Sequence, residues 1–190
     1  RVYQLQTETI SNRVEGYEMR DSGWSLNRVI SVQLNLYKTN NLRVGTYVES
    51  PFASRSFLNI KSNDNKCFLY CILAYLHPTT DNQNHSSKYF AFEKEINLKG
   101  IAFPMQIQSI DKFEKLNPSI SINIFQLGRI CEGDSRDCFK IYPIRITNNE
   151  KENNIDLLLI EDKHFVLIKK LEKLLHPDVT HSVIVCRRCL

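Results

Sequence analysis

The sequence predicts an α+β fold in which an apolar helix carrying Cys67 packs on a mainly antiparallel sheet, with His164 on a late strand. Three observations predict it. The polar turn Asn63-Asp64-Asn65 is followed by the almost wholly apolar run Cys67-Phe68-Leu69-Tyr70-Cys71-Ile72-Leu73-Ala74-Tyr75-Leu76. Four strand-like runs then come late in the chain, at 120–125, 139–146, 155–160 and 164–169. Polar loops at 128–137 and 147–154 separate them, which reads as an antiparallel meander. Helices and strands segregated in this way are α+β.

The elements follow in order. Residues 1–20 alternate weakly through Val2, Tyr3, Leu5, Ile10 and Val14. Ser22-Gly23-Trp24 is a turn that presents the single tryptophan, and Val32, Leu34 and Leu36 alternate as in a strand. Thr46-Tyr47-Val48 runs to Pro51, and Phe57-Leu58-Asn59-Ile60 is a short strand. The cluster from Asn63 to Asn65 supplies helix-capping side chains, and the helix from about 66 to 76 stops at His77-Pro78. A polar loop fills 79–88, Gly100 interrupts 96–103, and 109–116 is a short amphipathic helix stopped by Asn117-Pro118. Residues 171–175 make a last short helix, and a tail starts at Pro177. The expected domains are an N-terminal extension (1–50), a core (51–176) and a tail (177–190).

A chain of 190 residues that is 42% hydrophobic and 24% charged suits one compact domain rather than disorder. No run reaches the roughly 20 apolar residues of a membrane span. A net charge of +4 allows an acidic partner without requiring nucleic acid. Six cysteines in an irregular layout suggest a reducing, intracellular compartment, cytoplasmic or nuclear. The chain starts at Arg1 and stops just after Cys186-Arg187-Arg188-Cys189, as a piece of a longer protein is expected to.

Cysteine chemistry is the candidate function. A thiolate, not a thiol, attacks a carbonyl, and a helix N-terminus and a nearby imidazolium both favour the thiolate. Cys67 stands at the helix start, and His164 opens an apolar strand about a hundred residues later. Asp64 and Asn65 shape the turn where an oxyanion hole would be built, although plain capping accounts for them as well. A third group usually orients the histidine. Residues two apart on a strand share a face, and Val166 cannot accept a hydrogen bond, so Asp162 is the candidate. Asp178 is a weaker one, and a dyad remains open. A cysteine in an apolar helix is more often a small buried hydrophobe, which is the reading for Cys71.

Asp64-Asn65-Lys66-Cys67-Phe68 resembles the nucleophile motif of the ovarian-tumour (OTU) class of deubiquitinases, which are papain-like cysteine proteases. The later order is similar as well: a short helix at 110–116, then Ile122-Asn123-Ile124-Phe125, Ile141-Tyr142-Pro143-Ile144 and His164-Phe165. The motif glycine of that class is Asn65 here, and Val166 stands where the class often has Asn or Asp. Asp162-x-His164 instead resembles herpesvirus tegument-type deubiquitinases. Over more of the chain, Ser22-Gly23-Trp24, Leu42-Arg43-Val44-Gly45-Thr46-Tyr47 and Phe113-Glu114-Lys115-Leu116-Asn117 are similar to open reading frames of Maverick/Polinton-type transposons and related viruses. There the segment precedes a zinc finger and a DNA polymerase region.

The resemblance implies hydrolysis of (iso)peptide bonds at the C-terminus of ubiquitin, without a catalytic cofactor. Ubiquitin or polyubiquitin is then the partner, with Trp24 and Phe165 as candidate walls of the substrate cleft. For Trp24, burial as a core anchor is the stronger reading. Cys186 and Cys189 have half of a zinc-knuckle spacing, with His176 and His181 upstream. Nucleic acid would be met only through such a finger continued downstream. Cys131 and Cys138 flank a polar loop and read as free thiols sooner than as a local disulfide. The competing functions are a polyprotein-processing peptidase and a non-catalytic docking module beside a polymerase.

Overall fold

Ten residues without a charge among them, Cys67–Leu76, form the central helix α1. A helix that is apolar all round has to be buried. Every residue from Cys67 to Ala74 is buried, and the His77 N–H closes the last turn on the Leu73 carbonyl. In the computed structural model, residues 47–52, 54–132, 136–181, 183–188 and 190 are described. They belong to a compact unit that spans Asn40–Leu190. Trp24, the 32–36 strand, the other expectations for residues 1–46, and Cys189 lie outside the described residues.

The described residues form an α+β arrangement around a five-stranded, mostly antiparallel sheet. Its strands are β1 (Phe57–Leu58), β2 (Ile120–Arg129), β3 (Phe139–Arg145), β4 (Asn153–Ile160) and β5 (His164–Ile168). Two more short α-helices are α2 (Ile110–Leu116) and α3 (Leu171–Leu175). The strand order is β1-β5-β4-β2-β3.

This order corrects the expected meander. β3 folds back on β2 as a hairpin, but the chain then crosses to the other side of β2. There β4 pairs with β2 in parallel, from Ile120↔Asn153 to Leu127↔Ile160. Strand patterns alone do not say which neighbour a strand takes. Burial on both faces makes the central strands β2 and β4 apolar, while β3 lies at the edge and tolerates Pro143. Gly128 is needed for close approach, because a Cβ there would meet the Tyr142 ring at 2.8 Å.

Alternation gives the sheet two apolar faces. Leu157, Leu159, Phe165 and Leu167 meet α1 and α2, and Phe68 stacks edge-on against both Phe113 and Phe165. Leu158, Ile160, Val166 and Ile168 form the other face, covered by α3 through Leu171 and Leu174. Val48 and Phe52 cover it before β1, and Val185 and Leu190 return to it from the C-terminus. The last residues therefore form a docked arm. Arg187 Nε donates to both carboxylate oxygens of Asp156, at 2.9 and 3.0 Å.

Cys131 and Cys138 are joined in a disulfide, contrary to the expected pair of thiols. The β2–β3 hairpin brings the two together, since the Ile130 N–H bonds the Cys138 carbonyl at 2.8 Å. Among the described residues, no helix is long and apolar enough to cross a membrane.

Candidate functional site

Cys67 opens α1 and Phe165 is the second residue of β5, and the two meet where β1 stops short. β1 pairs only with Ile168 and Leu167. The edge of residue 165 is thus left to side chains of α1. Its N–H favours the Cys67 thiolate, while its carbonyl accepts the Cys71 thiol at 3.4 Å. The N–H groups of Phe68 and of Cys67 itself also favour that thiolate.

Burial nevertheless dominates the thiol. It is inaccessible to solvent, and burial raises its pKa to about 11, with a smaller push from the Asp64 charge. The three N–H groups work in the opposite direction and favour the thiolate. Cys71 is raised as well, by complete burial and then by Cys67.

His164 is the first residue of β5 and is fully buried. Its Nε2 lies 2.8 Å from Asn59 Oδ1. The amide is itself oriented, since Asn59 Nδ2 donates to the Val48 carbonyl at 3.0 Å. Oδ1 can only accept, so the imidazole carries its proton on Nε2 and presents a lone pair at Nδ1. Nδ1 is buried without a hydrogen-bond partner, Cys67 included. Tyr47 packs edge-on against the ring with centroids 5.3 Å apart. Burial lowers the His164 pKa to about 4. The resting pair is neutral, a thiol and an imidazole.

The His164 ring is thus hydrogen-bonded to Asn59, and Asp162 bonds elsewhere. The expectation for Asp162 assumed that it shares a strand with His164. Instead Glu161 and Asp162 form the β4–β5 turn with φ of 49° and 55°, and the chain reverses there. Same-face logic does not hold across a turn, and the Asp162 carboxylate accepts from Gln126 Nε2 at 2.5 Å. Asn59 had a signal in the sequence, as an amide inside the apolar run Phe57-Leu58-Asn59-Ile60.

Asp64 holds the turn before α1. One oxygen accepts the Lys66 N–H at 3.1 Å and the other the Tyr70 hydroxyl at 2.7 Å. Glu93 joins from the other side, 2.9 Å from Lys66 Nζ and 3.3 Å from the Tyr70 hydroxyl. Burial and these two carboxylates raise the Tyr70 phenol. Glu93 was not anticipated. Asn65 is exposed, and its backbone does not take the left-handed conformation of the motif glycine.

Phe165 does not wall a cleft; it is buried in the core against Phe68. Cys186 is exposed. Among the described residues, no three His, Cys, Asp or Glu side chains gather as metal ligands.

Protein-family models, curated proteins and solved structures were compared with the chain, and none matches. The chemistry of the site rests on its own geometry. An amide-oriented imidazole with a free Nδ1 can accept a proton. A thiol at the start of α1, whose thiolate is favoured by three backbone N–H groups, can become a nucleophile.

Proposed function

We propose that this protein is a cysteine-type hydrolase that acts on the C-terminal carbonyl of ubiquitin, as a deubiquitinase. The observation that carries the reading is the Asn59–His164 hydrogen bond. It leaves the basic nitrogen of a buried imidazole unpartnered, one residue along β5 from the N–H that favours the Cys67 thiolate.

In the reaction, Nδ1 of His164 takes the Cys67 proton as the sulfur attacks the carbonyl. The tetrahedral oxyanion is held by first-turn N–H groups of α1. The imidazolium then protonates the leaving lysine amine, and a thioester remains on Cys67. Water, deprotonated by His164, releases the ubiquitin carboxylate. Asn59 keeps the proton on Nε2 and the ring in place throughout. Because Tyr47 packs on the ring and both reacting groups are buried, the substrate tail reaches them by displacing the Tyr47 side chain.

Ubiquitin is favoured as substrate by the resemblance of Asp64-Asn65-Lys66-Cys67-Phe68 to the OTU nucleophile motif. The exposed Glu161 beside His164 suits the arginines of a ubiquitin tail. A nucleic-acid docking role is disfavoured by Arg187, which is engaged by Asp156.

A ubiquitin C-terminal electrophile probe tests the reading. A covalent adduct that disappears with Cys67→Ala is expected. No adduct, or an undiminished one in that variant, sinks the idea. Cleavage of the parent polyprotein with ubiquitin chains left intact would indicate a processing peptidase instead.

A further inference from the structure

Cys71 is a buried nucleophilic side chain for which the proposed reaction has no use. It lies one helical turn beyond Cys67 on the same face of α1, about 6 Å further along the axis. The two thiols meet one strand residue: Cys71 donates to the Phe165 carbonyl at 3.4 Å, and the Phe165 N–H favours the Cys67 thiolate. In a longer β1 these groups would pair with a strand, but β1 ends at Leu58. Without Cys71, the Phe165 carbonyl would be a buried acceptor with no donor from α1, and Phe68 packing on the Phe165 ring would remain as an apolar contact without a hydrogen bond.

We propose that Cys71 is a positioning residue for Cys67: its S–H donation to Phe165 holds the strand edge so that the Phe165 N–H faces the Cys67 sulfur. This rests on the reading of Cys67 as nucleophile. The role requires a donor at position 71 and not merely a small side chain. Other groups acting on the pair are Asp64, whose charge acts on Cys67, and Tyr89, whose phenol is coupled to Cys71.

The test is the pH profile of Cys67 alkylation by iodoacetamide in the full chain, with the modified residue assigned by fragment-ion mass spectrometry. Cys71→Ala and Cys71→Val remove the donor, the first leaving a small gap and the second filling it. Cys71→Ser keeps a donor. Loss of one hydrogen bond that favours the thiolate corresponds to a roughly threefold to tenfold lower rate at pH 8. That loss, with the profile moved to higher pH, is expected in the Ala and Val variants, whereas Cys71→Ser stays within about twofold of the parent. Unchanged profiles in both donor-free variants, even with a lowered melting temperature, overturn the proposal. So does an equal loss in Cys71→Ser. Alkylation needs no ubiquitin, so a failed probe experiment would refute the hydrolase reading separately.

Discussion

His164 donates its Nε2 proton to Asn59 Oδ1 across 2.8 Å, between residues 105 positions apart in the chain. That bond decides which ring nitrogen keeps its lone pair, Nδ1. Replacing Asn59 with Ala removes the acceptor and strands a buried donor. A loss of about 1–3 kcal/mol is expected, read as a lower urea midpoint with an unchanged slope. Replacing it with Asp keeps an acceptor and adds a charge, so the His164 pKa should rise from about 4, as read from its imidazole proton shifts in NMR.

The burial of His164 makes stability depend on pH. Its folded pKa of about 4 lies below the ordinary 6.5, so between these values the unfolded chain binds more protons. Stability from this group is complete above pH 6.5 and declines as pH falls towards 4. The full loss is on the order of 3 kcal/mol. Urea unfolding at several pH values should show this slope, and His164→Gln should flatten it.

Tyr47 is part of what keeps His164 dry. In Tyr47→Ala, water reaches the ring and the charged form becomes less costly. The His164 pKa should rise by about one unit, on the same NMR titration. An unmoved titration would mean that other atoms exclude the water.

The β4–β5 turn places two non-glycine residues in the left-handed region, Glu161 at φ 49° and Asp162 at φ 55°. Asn and Gly accept this conformation more readily than Glu, and two-residue hairpin turns favour them. Glu161→Asn should stabilise by about 0.5 kcal/mol, seen as a small rise in melting temperature. Asp162→Gly should gain less or lose, because it also removes the bond to Gln126.

The disulfide between Cys131 and Cys138 closes a short loop that carries Arg136. That arginine donates to the carbonyls of Leu174 at 2.8 Å and Phe139 at 3.0 Å. Replacing both cysteines with Ser should cost about 2 kcal/mol, measured by urea unfolding under non-reducing conditions.

Much of the framework was legible in the residue order. The uncharged decapeptide from Cys67 to Leu76 has to be a buried helix, and the runs at 120, 139, 155 and 164 became β2 to β5 within a few residues. His164 does stand at the start of its strand. These features are local, because side-chain periodicity and turn residues report on a chain's own neighbours. The parallel pairing of β2 with β4 was not legible, since apolar strands carry no label for their partner.

The order of residues thus placed a thiol at a helix start and an imidazole at a strand start, and gave the approximate elements that carry them. Only the tertiary structure decided that Asn59 and not Asp162 bonds the histidine ring, and that Cys67 and Cys71 both meet Phe165. It also decided that the whole centre rests in its neutral form. The physical reason is the same in each case. Hydrogen bonds between residues about a hundred positions apart, and the dielectric around a buried group, are set by which surfaces close over one another. A left-handed turn of two residues was enough to carry Asp162 away from the histidine that its spacing matched.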